Sequence, residues 1–372
     1  MSVNEHDAGV TDGRAPRFDA PDWWIYRGTG RAIHDIDLTQ MLPAPPPWRD
    51  FRGELPPEPD LPPQDDGEAD RRLGHEVHLD PQFTDPHELD MINAALYLRR
   101  PLLVTGKPGV GKSSSAYRIA RELRLGRVLR WPINSRTTLA SGLYEYDAIA
   151  RAQAVATTQA RGESSGGESG DGESGGADGP PIGDFIQLGP LGTAFVPSRL
   201  PRVLLIDELD KSEADLPNDL LSIFEDAEFT IRELTRVRHR SPMVTVHTDD
   251  PRRTVSVVDG RIRCHAFPIV IMTSNGEREF PPAFLRRCLH LNIRDPNIDQ
   301  LAAMVADHAL DRGDEHRSRL VREFAERSRT EQGLPTDRLL EAVYLATSGA
   351  YQPDDVAWPR LLSALWQKLS SA

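Results

Sequence analysis

Apolar residues along the chain gather into short runs set between stretches with helical spacing. Residues 85–98 place Leu89, Ile92, Ala95 and Leu96 on one side of a helix. An apolar run at 101–105 predicts a strand, and 113–123 returns to a helical pattern. Further strands are expected over 127–133, 203–206, 269–274 and 289–293. Apolar runs this short, separated by helices, are the pattern of a parallel sheet covered on both faces. The fold class is therefore α/β with a five-stranded parallel sheet. Between the third and fourth of these strands, 243–248 and 254–265 alternate with period two, and Asp259-Gly260 predicts a β-hairpin turn. After residue 296 the pattern is helical over 298–310, 316–328, 336–347 and 358–369, which predicts a small helical domain.

The rest of the chain lacks such periodicity. Residues 1–80 are rich in Pro, Asp and Glu and are expected to form a mostly disordered arm, because they offer little apolar surface to offset chain entropy. One island, 21–28, holds Trp23, Trp24 and Tyr26; it either folds back as a strap or docks a partner. A Gly/Ser/Glu-rich insertion at about 157–181 is expected to be disordered as well. The division is thus an arm over 1–80, a core over 81–295 and a helical lid over 296–372.

Composition narrows the function classes. The 372 residues are 38% hydrophobic with a formal net charge of −13. That balance argues against non-specific binding along a nucleic-acid backbone, and the basic run 232–240 reads as a solvated face. The two cysteines, Cys264 and Cys288, form no CxxC, which fits a reducing cytosol. Neither a signal peptide nor an apolar stretch approaching the roughly 20 residues of a membrane span is visible, so a soluble, cytoplasmic protein is expected.

Candidate chemistry starts at Gly106-Lys107-Pro108-Gly109-Val110-Gly111-Lys112-Ser113, which matches GxxxxGK[ST] after a strand and before a helix; these residues with Ser114 are the candidate nucleotide-binding set. Glycines let the backbone wrap phosphates with its N–H groups, and the helix N-terminus adds positive potential. Lys112 is expected to reach the β and γ phosphates of ATP, and the Ser113 hydroxyl to ligate Mg2+. The strand at 203–206 ends in Asp207 and Glu208. At the carboxyl end of a parallel strand, Asp207 would hold the magnesium through water and Glu208 would deprotonate the attacking water.

Three further positions complete the set. Asn275 ends the strand at 269–274 and is placed to hold the attacking water with Glu208. Arg287, with Arg286 as the alternative, suits charge on a transferring phosphoryl group. Arg338 follows Thr336, an N-cap candidate, and is expected to reach the γ phosphate from the lid. Trp131, Tyr144 and Tyr146 belong to a segment that either faces a partner or packs into the body. His247, His265 and His290 are scattered without ligand spacing, so no metal beyond magnesium is expected.

Together GKPGVGKS, LLIDELDK, TSN, FLRRC and the PTDR helix start resemble the AAA+ ATPases, with the P-loop αβα sandwich and helical lid that implies. The Gln187-Leu-Gly-Pro-Leu191 segment, the long stretch after the second strand and the hairpin resemble the MoxR-like clade. This resemblance implies a homo-oligomeric ring, often a hexamer, in which Arg287 acts on the neighbour's ATP and hydrolysis remodels a protein partner. Such proteins often work beside a von Willebrand A domain protein, and similar stand-alone ATPases belong to bacterial multi-gene conflict systems. The alternatives are a nucleotide-gated switch with slow turnover, a non-enzymatic ATP-binding scaffold and a DNA-directed ATPase.

Overall fold

Strands β1 (Leu102–Thr105), β2 (Leu129–Pro132), β3 (Tyr144–Tyr146), β4 (Ile186–Leu188), β5 (Val203–Asp207), β6 (Glu228–Thr230), β7 (Met243–His247), β8 (Thr254–Val258), β9 (Arg261–Arg263), β10 (Ile269–Ser274) and β11 (Leu289–Asn292) build two sheets. The computed structural model describes residues 21–33, 38–56, 62–74, 85–164, 180–298, 300–302, 305, 314–330, 334, 336–347 and 358–366.

The main sheet runs β11-β1-β10-β5-β2 and is parallel throughout. Successive residues of a strand point to opposite faces, so the central strands β1, β10 and β5 each feed two cores. Leu103, Leu129, Leu204, Ile206, Val270 and Met272 join one buried cluster. Leu102, Val104, Val203, Leu205 and Ile271 join the other. Helix Leu216–Asp226 covers the first face with Leu220 and Phe224, and helices Pro86–Leu98 and Ser114–Glu122 cover the second with Leu89, Ile92, Ala116 and Ile119. β5 and β10 are buried at every position, which is why they read as continuous apolar runs.

The second sheet, β3-β4-β7-β8-β9-β6, is larger than the single expected hairpin. Asp259 (φ 52°) and Gly260 (φ 72°) form the β8–β9 turn, where two positive φ values match the right-handed twist of the strands. β7 pairs with β8 across a longer turn, with Met243 opposite Val258. That turn is anchored by Asp250, which accepts from Arg202 at 2.6 Å in a buried ion pair, and by Asp249, which accepts from Arg127 at 2.8 Å. Trp131 is buried, and Tyr144 stacks on Phe229 and donates to Glu233 at 2.9 Å; packing into the body accounts for both rings.

The arm carries more structure than its composition suggests. Trp24, Ile25 and Tyr26 are buried, while Trp23 is 40% exposed and meets Tyr97 edge-on. Two buried polar side chains hold the strap. Asn93 accepts from the N–H groups of Ile25 and Tyr26 and donates to the Tyr26 carbonyl, at 2.7–2.9 Å. Glu122 accepts from Arg27 N, Thr29 Oγ1 and Gly30 N. Burial pushes the Glu122 carboxyl up, against these donors, which pull it down. Further along, Leu38, Phe51, Ala69 and Leu73 are buried too. A tail rich in Pro and acidic residues is thus tied down by a few apolar anchors together with Asn93 and Glu122, while residues 1–20, 34–37, 57–61 and 75–84 lie outside the described residues.

Replacing Asn93 would strand two N–H groups and a carbonyl, each worth about 1–3 kcal/mol when left unpaired in a buried place. Asn93→Ala is expected to lower the unfolding free energy by about 2–4 kcal/mol in urea denaturation. A change below about 0.5 kcal/mol would mean that the strap adds nothing to stability.

The insertion expected at 157–181 begins in a helix, Ala148–Ser164, and ends in a 3-10 turn over Ile182–Phe185; residues 165–179 lie outside the described residues. The C-terminal helical region has its own core of Leu320, Phe324, Leu339, Val343, Trp358 and Trp366. Helices Asp314–Thr330, Thr336–Thr347 and Trp358–Leu365 supply it; of the helix expected over 298–310, residues 299, 303, 304 and 306–310 lie outside the described residues. Among the described residues no helix is long and apolar enough to cross a membrane. Cys264 and Cys288 are free, buried thiols, and burial pushes Cys288 up to about 12.

Candidate active site

The phosphate loop joins the carboxyl end of β1 to helix Ser114–Glu122. Its turn rests on glycines: Gly106 (φ 151°), Gly109 (φ 80°) and Gly111 (φ 91°) adopt positive φ, which side-chain-bearing residues rarely do. A Cβ on Gly106 would sit 2.7 Å from the Ile293 carbonyl, so that position is closed by packing as well. A Cβ on Gly111 would meet no atom within 4 Å. Its glycine serves conformation and leaves an open cradle.

Lys112 is 8% exposed. Its ammonium spans the loop, donating to the carbonyls of Gly106 and Lys107, each at 2.8 Å. Burial lowers its pKa from the ordinary lysine range, against the opposing pull of Asp210, Asp207 and Glu208. Lys107 pairs with Asp295 at 2.5 Å, tying the loop to the segment that leads into the C-terminal helices. A cavity of about 270 Å³ opens there, walled by Val110, Ile298 and Phe324 and rimmed by Lys107, Asp295 and Thr336.

Asp207 ends β5 and is 6% exposed. One carboxylate oxygen accepts from Ser113 Oγ at 2.6 Å and from Thr273 Oγ1 at 2.9 Å. The other accepts from Arg130 Nη2 at 2.8 Å and Nε at 3.2 Å. Burial pushes this carboxyl up, but the bonds from Ser113, Arg130 and Thr273 outweigh it and hold the pKa below the usual carboxylate range. The Ser113 hydroxyl and the Asp207 carboxylate are hard oxygen donors in contact, beside a loop lined with N–H groups. That donor set fits Mg2+ bound with a nucleotide phosphate.

Glu208 leaves the strand in the left-handed region (φ 63°), a conformation that costs a non-glycine residue roughly 1–3 kcal/mol. Its N–H donates to Thr273 Oγ1 at 2.8 Å, so the Thr273 hydroxyl ties both acids to β10. The Glu208 side chain accepts from Lys211 Nζ at 2.8 Å. The 3-10 turn Leu209–Lys211 makes that approach possible.

Asn275 lies just past the end of β10, with its N–H donating to Asp210 Oδ2 at 2.9 Å. The same oxygen accepts from Glu277 N at 3.1 Å, while Asp210 Oδ1 is buried without a partner. Asp210 thus positions the loop after β10 by its backbone.

Lys112, Ser113, Asp207, Glu208 and Asn275 therefore gather at the carboxyl ends of β1, β5 and β10, through contacts that Thr273 and Asp210 complete. The candidate arginines sit elsewhere. Arg287 pairs with Glu225 at 2.5 Å on the surface, Arg286 Nε donates to the Pro282 carbonyl, and Arg100 bonds the carbonyls of both. Arg338 pairs with Glu341 of its own helix at 3.2 Å. Sequence reasoning missed Arg130, Thr273, Asp210 and Lys211. Thr273 and Asp210 stand inside the TSN and DELDK motifs, whereas Arg130, one residue inside a predicted strand, carries no local mark.

The family model described as "AAA domain (dynein-related subfamily)" matches residues 101–288, from the residue before β1 to the residue after the helix Pro282–Arg287. Among curated proteins, none matches the chain. Among solved structures, NtrX from Brucella abortus in complex with ADP matches at 12% identity and a TM-score of 0.35. That match covers 77% of this chain and 54% of the NtrX chain, so this chain spans about half the length of that protein.

Proposed function

The chain belongs to the dynein-related subfamily of AAA domains, and from that premise we propose that it is a magnesium-dependent ATPase of the MoxR-like type that remodels a protein partner. The observation that supports this most is the unbroken contact chain Ser113–Asp207–Thr273–Glu208, set against the Lys112 cradle. Magnesium, when bound, would neutralise charge on the phosphates and polarise the γ phosphorus. Lys112 would turn from the loop carbonyls to the β and γ oxygens, and Ser113 and Asp207 would hold the metal. Glu208 would take the proton from water that Asn275 orients. The apolar cavity beside Val110 and Phe324 would take the base.

Arg287 stands on the surface, half exposed, where a second copy could meet it. In this reading the copies form a homo-oligomeric ring, and Arg287 completes the neighbour's site. Steady-state ATPase activity per subunit is then expected to climb with protein concentration and level off. Arg287→Ala and Lys112→Ala should each turn over slowly, and mixed rings of the two should recover part of the activity. Absence of recovery in rings shown to be mixed would remove the trans role of Arg287.

The Lys211–Glu208 pair favours a second reading, a switch with slow turnover that gates an effector. A carboxylate held by an ammonium accepts a proton poorly, so turnover would wait until a partner breaks the pair. A basal rate that stays near zero at every protein concentration, together with normal ATP binding, would favour this switch over the motor.

A further inference from the structure

Arg130 touches the site through one residue. Its guanidinium places two nitrogens on Asp207 Oδ2, the carboxylate oxygen left over when Ser113 and Thr273 share Oδ1. Asp207 is almost fully buried, whereas the Arg130 side chain is 43% exposed. A buried carboxylate without a countercharge is expensive, so the guanidinium stabilises Asp207 in this arrangement. A divalent cation on Asp207 and Ser113 would bring like charge beside that guanidinium, where repulsion is only partly screened.

An exit for the guanidinium is present. Arg130 lines a cavity of about 200 Å³ together with Tyr117, Arg127 and the acidic arm residues Asp65, Asp66 and Glu68, of which Glu68 is already paired with Arg71 and Arg72. Burial works against the charged form of Arg130, the bond to Asp207 outweighs it, and the Glu68 carboxylate adds a smaller pull in the same direction. Released from Asp207, the guanidinium therefore has acidic neighbours within the same cavity.

We propose that Arg130 is a positioning residue that occupies Asp207 as a built-in countercharge and yields it to magnesium, so that Arg130 sets the magnesium concentration at which nucleotide binds. This rests on the reading of the site as a magnesium–nucleotide site. Because the two cations compete for one carboxylate, removing the guanidinium makes magnesium bind more readily.

The test is a magnesium titration of fluorescently labelled ADP binding to the full chain, starting in EDTA, for the unmodified protein, Arg130→Gln and Arg130→Lys. Arg130→Gln is expected to lower the half-saturating magnesium concentration about tenfold, equivalent to about 1.4 kcal/mol. Arg130→Lys, a point charge that lacks the two-nitrogen contact, should give a smaller shift in the same direction. Thermal unfolding without ligand reports whether each variant folds; should Arg130→Gln fail to fold, the lysine variant decides. An unchanged half-saturation in a folded variant would make the pair purely structural and overturn the proposal. A raised half-saturation would also overturn it, by showing that Arg130 helps to hold the metal–nucleotide complex. If the unmodified protein binds no labelled ADP at any magnesium concentration, the nucleotide-site reading fails, and this proposal fails with it.

Discussion

Lys112→Ala is expected to weaken nucleotide binding at least about 100-fold, the equivalent of about 2.8 kcal/mol. The side chain is buried and held across the loop by two carbonyls, so it is already ordered before ligand arrives. Little conformational entropy remains to be lost when its donors turn to phosphate oxygens. Each charge-assisted bond contributes roughly 1.5–3 kcal/mol, and the low exposure keeps the interaction poorly screened. Calorimetric titration with ADP and with ATP measures the loss. Unfolding of the free variant in urea separates a binding defect from a folding defect, because the Gly106 and Lys107 carbonyls also lose their donor. Tight ATP binding by folded Lys112→Ala would remove the loop from the mechanism.

The second large effect concerns turnover alone. Glu208→Gln is expected to bind ATP within about threefold of the unmodified protein and to hydrolyse it about 10²–10⁴-fold more slowly, the range that a positioned general base supplies. The substitution preserves shape, and the bond from Glu208 N to Thr273 Oγ1 involves only the backbone. The left-handed turn at Glu208 and the placement of Asp207 should therefore survive. What goes is the carboxylate that can accept a proton, along with the ion pair to Lys211. Single-turnover measurement with bound ATP reads the chemical step. Normal turnover in this variant would assign the base to another group.

These two predictions differ in what they ask of the chain. Lys112 acts through local geometry: loop, glycines and helix start are contiguous in sequence. Glu208 depends on the register of β5 against β10, which brings Thr273 under both acids. Asp210 extends the same dependence to the loop after β10, since one oxygen accepts the N–H groups of Asn275 and Glu277. A change at Asp210 would thus act on Asn275 through the backbone.

Much was legible in the sequence where neighbours along the chain do the work. The loop Gly106–Ser113 declares itself because phosphate wrapping needs glycines at fixed spacing and a helix directly after. Strands β5 and β10 declare themselves because burial on both faces fills residues 203–206 and 269–272 with apolar side chains, the polar residues coming only at the carboxyl ends. The Asp259-Gly260 turn was visible for a similar reason: two successive positive φ values select those residue types.

Other features were decided only by the tertiary structure. β3, β4 and β6 have three residues each, too few for a period-two pattern to stand out, and they exist because β3 pairs with β4, β4 with β7, and β6 with β9. The arm around Trp24 and Tyr26 reads as a tail by composition. Its order comes from Asn93 and Glu122, which lie 67 and 95 residues away from the strap positions they bond. Arg130 and Asp207 are separated by 77 residues and meet because β2 lies beside β5. The sequence by itself determined the phosphate loop, the acidic strand end and the α/β pattern, since each is set by steric and burial rules over a few adjacent residues. Only the folded sheet decided which polar groups would share Asp207, because a charge's partner is chosen by distance through space.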